Sequence, residues 1–210
     1  MNSIDWYFDF VSPFAYLASE SLARFPDTIE IKPIPILFVG LLKHWQTRGP
    51  AEIAPMRRFT YRHIRWLADR AGIALTFPPV HPFNPLKLLR LSIALDNDPA
   101  VIKRLFRFAW ADGHSSDDAR QWQDLIRDLG VDEVDQRIGN PEIKQVLRQN
   151  TDAALARGLF GVPGFVVDDE VFWGYDSIDF VIDYLQNPEL LRSPGMQAAD
   201  RVPEGPPRNS

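Results

Sequence analysis

The chain has 210 residues, 45% of them hydrophobic, a formal net charge of -5 and no cysteine. That length suits one domain, or one domain carrying a sizeable insertion. The lack of cysteine excludes disulfides, thiolate metal sites and a protein thiol nucleophile.

Both charge signs are interspersed without a long basic block, so nucleic acid is not an expected partner. No apolar run reaches membrane-spanning length, so no membrane association is expected. Asp5 and Asp9 interrupt the first apolar segment, which argues against a secretory signal, and a cytoplasmic protein is expected. The four histidines, His44, His63, His81 and His114, lack metal-ligand spacing, so no metal site is expected.

Residues 3–10, SIDWYFDF, place Ile4, Trp6, Phe8 and Phe10 on one side at period two, with Tyr7 opposite. That pattern predicts a strand buried in a sheet. Ser12 is a good N-cap and Pro13 a good first helical residue. Phe14, Leu17, Ala18, Leu22 and Phe25 then follow at helical spacing. Residues 28–37 alternate again at Ile29, Ile31 and Ile34. Pro33 and Pro35 point to an edge position or an early end for this strand.

The stretch 38–158 reads as helical. Amphipathic or buried segments are expected around 61–72, 85–96, 101–112, 117–130 and 141–158, several closed by glycine. Strands return in GFVVDDEVFWGY, read as a hairpin turning near Asp168-Asp169. Residues 176–185 form a closing helix, capped by Asp176 or Ser177. From 187 the apolar periodicity disappears, and 187–210 is expected to be a mostly disordered tail.

The order is therefore β-α-β, a long helical block, then β-β-α. A plain crossover needs only about a dozen residues, so the block reads as an inserted helical domain. The predicted fold class is α/β: a thioredoxin-like βαβ…ββα sheet domain with a large inserted all-helical domain. Its parts are 1–37 and 159–186 for the sheet domain, with helix 141–158 bridging, and 38–140 for the insertion.

Two motifs flank that insertion: FDFVSPFAYLA after the first strand and GVPGFVVDDEVFWGYDSI near the end. Together they resemble the 2-hydroxychromene-2-carboxylate isomerase family, within the DsbA-like branch of thioredoxin folds and close to kappa-class glutathione transferases. The resemblance covers about residues 3–186. It implies a glutathione-dependent enzyme, commonly a homodimer. Ser12 stands where thioredoxin-like oxidoreductases carry a reactive cysteine, and its hydroxyl would bond the glutathione sulfur. Val162-Pro163 matches a segment whose proline is cis, and whose backbone pairs with glutathione like an added strand. Trp173, Gly174, Tyr175, Asp176 and Ser177 match the segment that holds the γ-glutamyl end.

Such a site has a chemical logic. A free thiol near pKa 8.5 is mostly protonated at neutrality. A helix N-terminus and a donated hydroxyl hydrogen bond both favour the thiolate. Addition of that thiolate to an unsaturated substrate makes a single bond that can rotate, and elimination then restores the double bond in the other geometry. The implied substrate is an aromatic or unsaturated acid such as 2-hydroxychromene-2-carboxylate. Lys43, Arg57 and His81 are candidate substrate residues. A kappa-type glutathione S-transferase, which keeps the thioether, is the alternative. The sequence departs from the naphthalene-pathway isomerases, which carry Asn-Arg a few residues after Gly-Pro. Here Gly49-Pro50 is followed by Ala51-Glu52.

Each feature also has a plainer reading. Ser12-Pro13 is an ordinary helix start, Arg57-Arg58 an ordinary solvated helix face, and His81 an ordinary loop-packing residue. The cluster GHSSDD at 113–118 reads as a loop and helix cap rather than a catalytic triad.

Overall fold

The computed structural model describes residues 3–205. Strand β1, Ser3–Phe8, buries Ile4, Trp6 and Phe8 on one face and Tyr7 on the other, as its period-two pattern requires. Ser12 caps helix α1, Pro13–Ser21, which crosses to β2, Glu30–Pro35. Helices α2, Phe38–His44, and α3, Ala54–Ala71, follow. Then come α4, Leu86–Ala94; α5, Pro99–Trp110; α6, Ala119–Asp128; α7, Val134–Gly139; and α8, Pro141–Ala156. The chain returns to the sheet with β3, Gly164–Val167, and β4, Glu170–Trp173. It ends in α9, Ile178–Gln186, and α10, Pro194–Asp200.

The sheet order is β2-β1-β3-β4. β1 and β2 are parallel, with Tyr7 opposite Ile34, while β3 runs antiparallel to both β1 and β4. β2 is an edge strand, which is where Pro33 and Pro35, lacking donors, can be tolerated. The hairpin turns at Asp168-Asp169, with Asp168 at φ 54.

The helical block and the sheet share one apolar core. Phe106 of α5 has its ring 4.6 Å from that of Phe10 and 5.5 Å from that of Phe8. Trp6 stacks on Phe8 at 4.5 Å. Ile64 and Ala68 of α3, Leu88 and Leu89 of α4, and Trp122 of α6 extend the same cluster. On the opposite face Tyr7 joins Ile36, Leu41, Ala154, Leu159, Val162 and Val166, so α2 and α8 close that side. The Trp110 indole N–H donates to the carbonyl of Phe10 at 2.8 Å, fixing the chain just before the α1 cap.

The tail corrects the sequence reading. Residues 188–192 form a 3-10 turn and 194–200 form α10. Leu190 and Leu191 pack against the core, and α10 then has a base to build on. Two leucines in an otherwise polar stretch give no periodicity, which is why the order was not visible. Residues 206–210 of the expected disordered tail lie outside the described residues. Neither Asp176 nor Ser177 caps α9 through its side chain. The Ser177 hydroxyl instead donates to the carbonyl of Gly174 at 2.8 Å.

Candidate active site

Ser12 is nearly buried at the N-terminus of α1. Its hydroxyl oxygen accepts from the Ala15 N–H at 3.2 Å, the expected capping bond. The same hydroxyl donates to the carbonyl oxygen of Val162 at 3.2 Å. Accepting from an N–H polarises an O–H and makes it a better donor. Any sulfur placed here competes with one carbonyl for one proton.

The Val162-Pro163 peptide is cis. Among the described residues the Val162 N–H makes no hydrogen bond, so this backbone presents a free donor beside Ser12. The carbonyl of Pro163 accepts from the Gly174 N–H at 2.9 Å, tying the turn 174–177 to the same segment. Trp173 lies over Gly161, where an added Cβ would sit 2.2 Å from the indole nitrogen, so a side chain there would displace the ring. Its ring meets Phe160 edge-on at 5.1 Å and is 55% exposed. Gly174 has φ 101, and a Cβ there would lie 2.5 Å from an Asp176 carboxylate oxygen. Asp176 is therefore folded back over the turn with its carboxylate exposed.

A cleft of about 640 Å³ opens above Ser12, within the range of ordinary ligand pockets. Of the candidate residues it brings together Ser12, His81, Val162 and Trp173. Pro163, Gly174, Tyr175, Asp176 and Ser177 do not line it but form the adjoining ledge. Tyr175 packs into the core there, so its side chain is structural.

Lys43 and Arg57 do not line the cleft either. Arg57 donates to the carbonyl of His81 at 3.1 Å and lies over the Tyr61 ring at 5.4 Å. It clamps the loop around His81 rather than facing the cleft. His81 is held by both nitrogens. Its Nε2 is 2.8 Å from the carbonyl oxygen of Val11, which can only accept, so Nε2 carries the proton. Nδ1 then accepts from the Tyr61 hydroxyl at 2.7 Å. Burial pushes the imidazole pKa down. The Val11 carbonyl opposes that shift, and the Arg57 charge reinforces it. His81 is thus a neutral imidazole that bridges the loop to the α1 start.

Two residues of the cleft escaped the sequence reading. Asp9 is fully buried, and its carboxylate oxygens accept from the Val11 N–H at 3.0 Å and the Phe38 N–H at 2.8 Å. Its carbonyl accepts from the Ser12 N–H, so Asp9 ties the starts of α1 and α2 together. Burial raises its pKa to about 7, against the lowering effect of those two N–H bonds. The visible signal was an acid inside a buried apolar run. The other residue is Arg48, the one lysine or arginine among the lining residues. It donates to the backbone carbonyl of Glu52 at 2.9 Å, and its Nε lies 4.0 Å from the Glu52 carboxylate. Glu52 also accepts from the Gly49 N–H at 3.2 Å. The acid after Gly-Pro therefore closes a turn and holds Arg48 on the rim.

Elsewhere, GHSSDD is a loop and cap as expected, with Asp118 accepting from the N–H groups of Arg120 and Gln121. Among the described residues no helix is long and apolar enough to cross a membrane.

A parallel β-α-β start, an antiparallel hairpin and a cis-proline facing the first helix N-terminus define a thioredoxin-like protein. The model of the DSBA-like thioredoxin domain matches residues 3–186, and the chain belongs to that family. It is 28% identical over 191 residues to 2-hydroxychromene-2-carboxylate isomerase of Sphingobium xenophagum, spanning 88% of this chain and 98% of that protein. It is 26% identical over 209 residues to glutathione S-transferase kappa 2 of Caenorhabditis elegans, spanning 88% and 92%. A solved 2-hydroxychromene-2-carboxylate isomerase superposes with a TM-score of 0.77 at 22% identity, over 96% of this chain and all of that one. That superposition establishes the fold.

Proposed function

We propose that the protein is a glutathione-dependent cis-trans isomerase of an aromatic or unsaturated acid of the 2-hydroxychromene-2-carboxylate type, acting as a homodimer. The observation that carries the proposal is the Ser12 hydroxyl, set at a helix N-terminus 3.2 Å from the carbonyl before cis-Pro163, in a chain without cysteine. The isomerases and kappa transferases among the relatives support it.

The residues present fit glutathione. The free Val162 N–H and neighbouring carbonyl suit strand-like pairing with a peptide backbone. The exposed Asp176 carboxylate suits an ammonium group, and Trp173 flanks the path between them. When bound, glutathione supplies a thiolate that adds to an electrophilic carbon and leaves again. Ser12 would then keep its proton and donate its hydroxyl hydrogen bond to the sulfur instead of to the Val162 carbonyl, and the α1 N-terminus would add partial positive charge. Arg48 pairs with the substrate carboxylate at the cleft rim, in the role that Lys43 and Arg57 do not reach. His81, neutral and doubly bonded, shapes the opposite wall and moves no proton.

The kinship with glutathione S-transferase kappa 2 favours a second reading, in which the thioether is released as product. Product analysis separates the two, since a stable conjugate without isomer would leave only the transferase. The shared premise is tested by titrating with glutathione while thiolate absorbance is followed against pH. Binding with a lowered thiol pKa is expected. Absence of binding, or an unshifted thiol, would overturn both readings. Sedimentation velocity tests the homodimer.

A further inference from the structure

A second depression lies between α4 and α8, away from Ser12. Its volume is about 920 Å³. Three cations converge on it: Arg90 from α4, and Lys144 and Arg148 one helical turn apart on α8. Among the described residues none of the three has an ion pair or a side-chain hydrogen bond. Asp152, the one acid on the lining, pairs with none of them. Like charges four residues apart on a helix repel unless something lies between them. In a chain of net charge -5 this local excess runs against the overall balance.

The Arg90 Nε is screened from solvent and has no partner. A buried guanidinium N–H without an acceptor is costly, so nothing inside the protein offsets the burial of the Arg90 charge. Its two terminal nitrogens, also without partners among the described residues, form an edge that takes a carboxylate through two parallel bonds. The floor beneath is apolar: Leu37, Leu86 and the buried Leu147. Leu37 and Leu86 also line the cleft above Ser12, so the two cavities share a wall.

We propose that the α4–α8 groove is a binding site for an organic anion with an apolar body, an aryl or acyl carboxylate. The carboxylate pairs with Arg90, and the apolar body lies along the three leucines. Lys144 and Arg148 supply the surrounding positive potential. Occupancy does not require glutathione at Ser12. Because Leu37 and Leu86 face both cavities, a filled groove holds the wall of the cleft in place.

The test is a titration of full-length protein, at fixed ionic strength, with 1-naphthoate, its neutral counterpart 1-naphthamide, and inorganic phosphate. The arginine Nε–Hε resonances report the site. The Arg90 signal is expected to shift saturably with naphthoate, and both other probes should bind there at least tenfold more weakly. Arg90→Gln should weaken naphthoate at least tenfold. Lys144→Gln/Arg148→Gln, at two exposed positions that keep the fold, should weaken it severalfold. Ser12→Ala should leave it unchanged, which separates this site from the glutathione reading. An Arg90 signal that never moves, naphthamide matching naphthoate, or a double variant binding like wild type would each overturn the proposal. Phosphate matching naphthoate would also overturn it, by leaving the apolar floor without a role.

Discussion

The Ser12 hydroxyl donates to the carbonyl oxygen of Val162, 150 residues later in the chain, at 3.2 Å. This one bond joins the first helix start to the cis-proline segment and places a polarised hydroxyl where a ligand sulfur can take it over.

Ser12→Ala removes both a cap and a donor. Loss of the capping bond to the Ala15 N–H should cost about 1 kcal/mol of stability. Loss of the donor should raise the bound glutathione thiol pKa by about one unit, which corresponds to about 1.4 kcal/mol. Turnover should fall at least tenfold near neutrality. Denaturant melts, thiolate absorbance and rates separate these effects; an unchanged thiol pKa would remove Ser12 from the chemistry.

Asp9 should make stability depend on pH. Its folded pKa is raised from 3.8 to about 7. The folded state therefore holds the proton more tightly than the unfolded chain does. That contribution is fully present below about pH 4 and is lost as pH rises through 7. Its size is at most about 4 kcal/mol. Asp9→Asn should be less stable at low pH, because its amide cannot accept both backbone N–H bonds. The stability of wild type relative to the variant should decline from pH 4 to 8. Parallel urea stability curves over that range would contradict the shifted carboxyl.

Arg48 should govern affinity for an anionic substrate. Arg48→Gln is expected to raise KM about tenfold or more for a carboxylate substrate, with a smaller change in kcat. Lys43→Gln, on a residue off the cleft lining, should leave KM unaltered. Steady-state kinetics on a carboxylate and its neutral ester decide the matter. An Arg48 effect of equal size on the ester would assign the residue to turn structure.

Phe106 belongs to α5 but packs on β1. Phe106→Ala should cost about 3–5 kcal/mol. Sheet and helical block should also unfold in one transition, since they share that core. Tryptophan fluorescence and far-ultraviolet dichroism should report coincident midpoints in both proteins. Separated midpoints would show two independent folding units.

Much of this architecture is written locally. Ile4, Trp6 and Phe8 alternate, Ser12-Pro13 opens a helix, and Asp168-Asp169 turns a hairpin; each depends on neighbours within a few residues. The motifs around Ser12 and Val162-Pro163 pointed to the family for the same reason. Asp9 was visible only as an interruption, because its meaning depends on the Phe38 N–H, 29 residues away. Arg48 was passed over because the helical block offers several cations, and only their placement separates the one on the cleft from Lys43 and Arg57.

The sequence by itself determined the order of strands and helices up to α9 in outline, the restriction that Pro33 and Pro35 place on β2, and the hydroxyl that replaces a thiol, since periodicity, proline geometry and residue type are short-range properties. Only the tertiary structure decided which cation reaches the cleft, which histidine nitrogen carries its proton and where a buried acid finds two donors. Those outcomes depend on segments brought together from far apart in the chain, 29 residues for Asp9 and Phe38 and 70 for His81 and Val11, where burial and hydrogen-bond geometry set the role of each group.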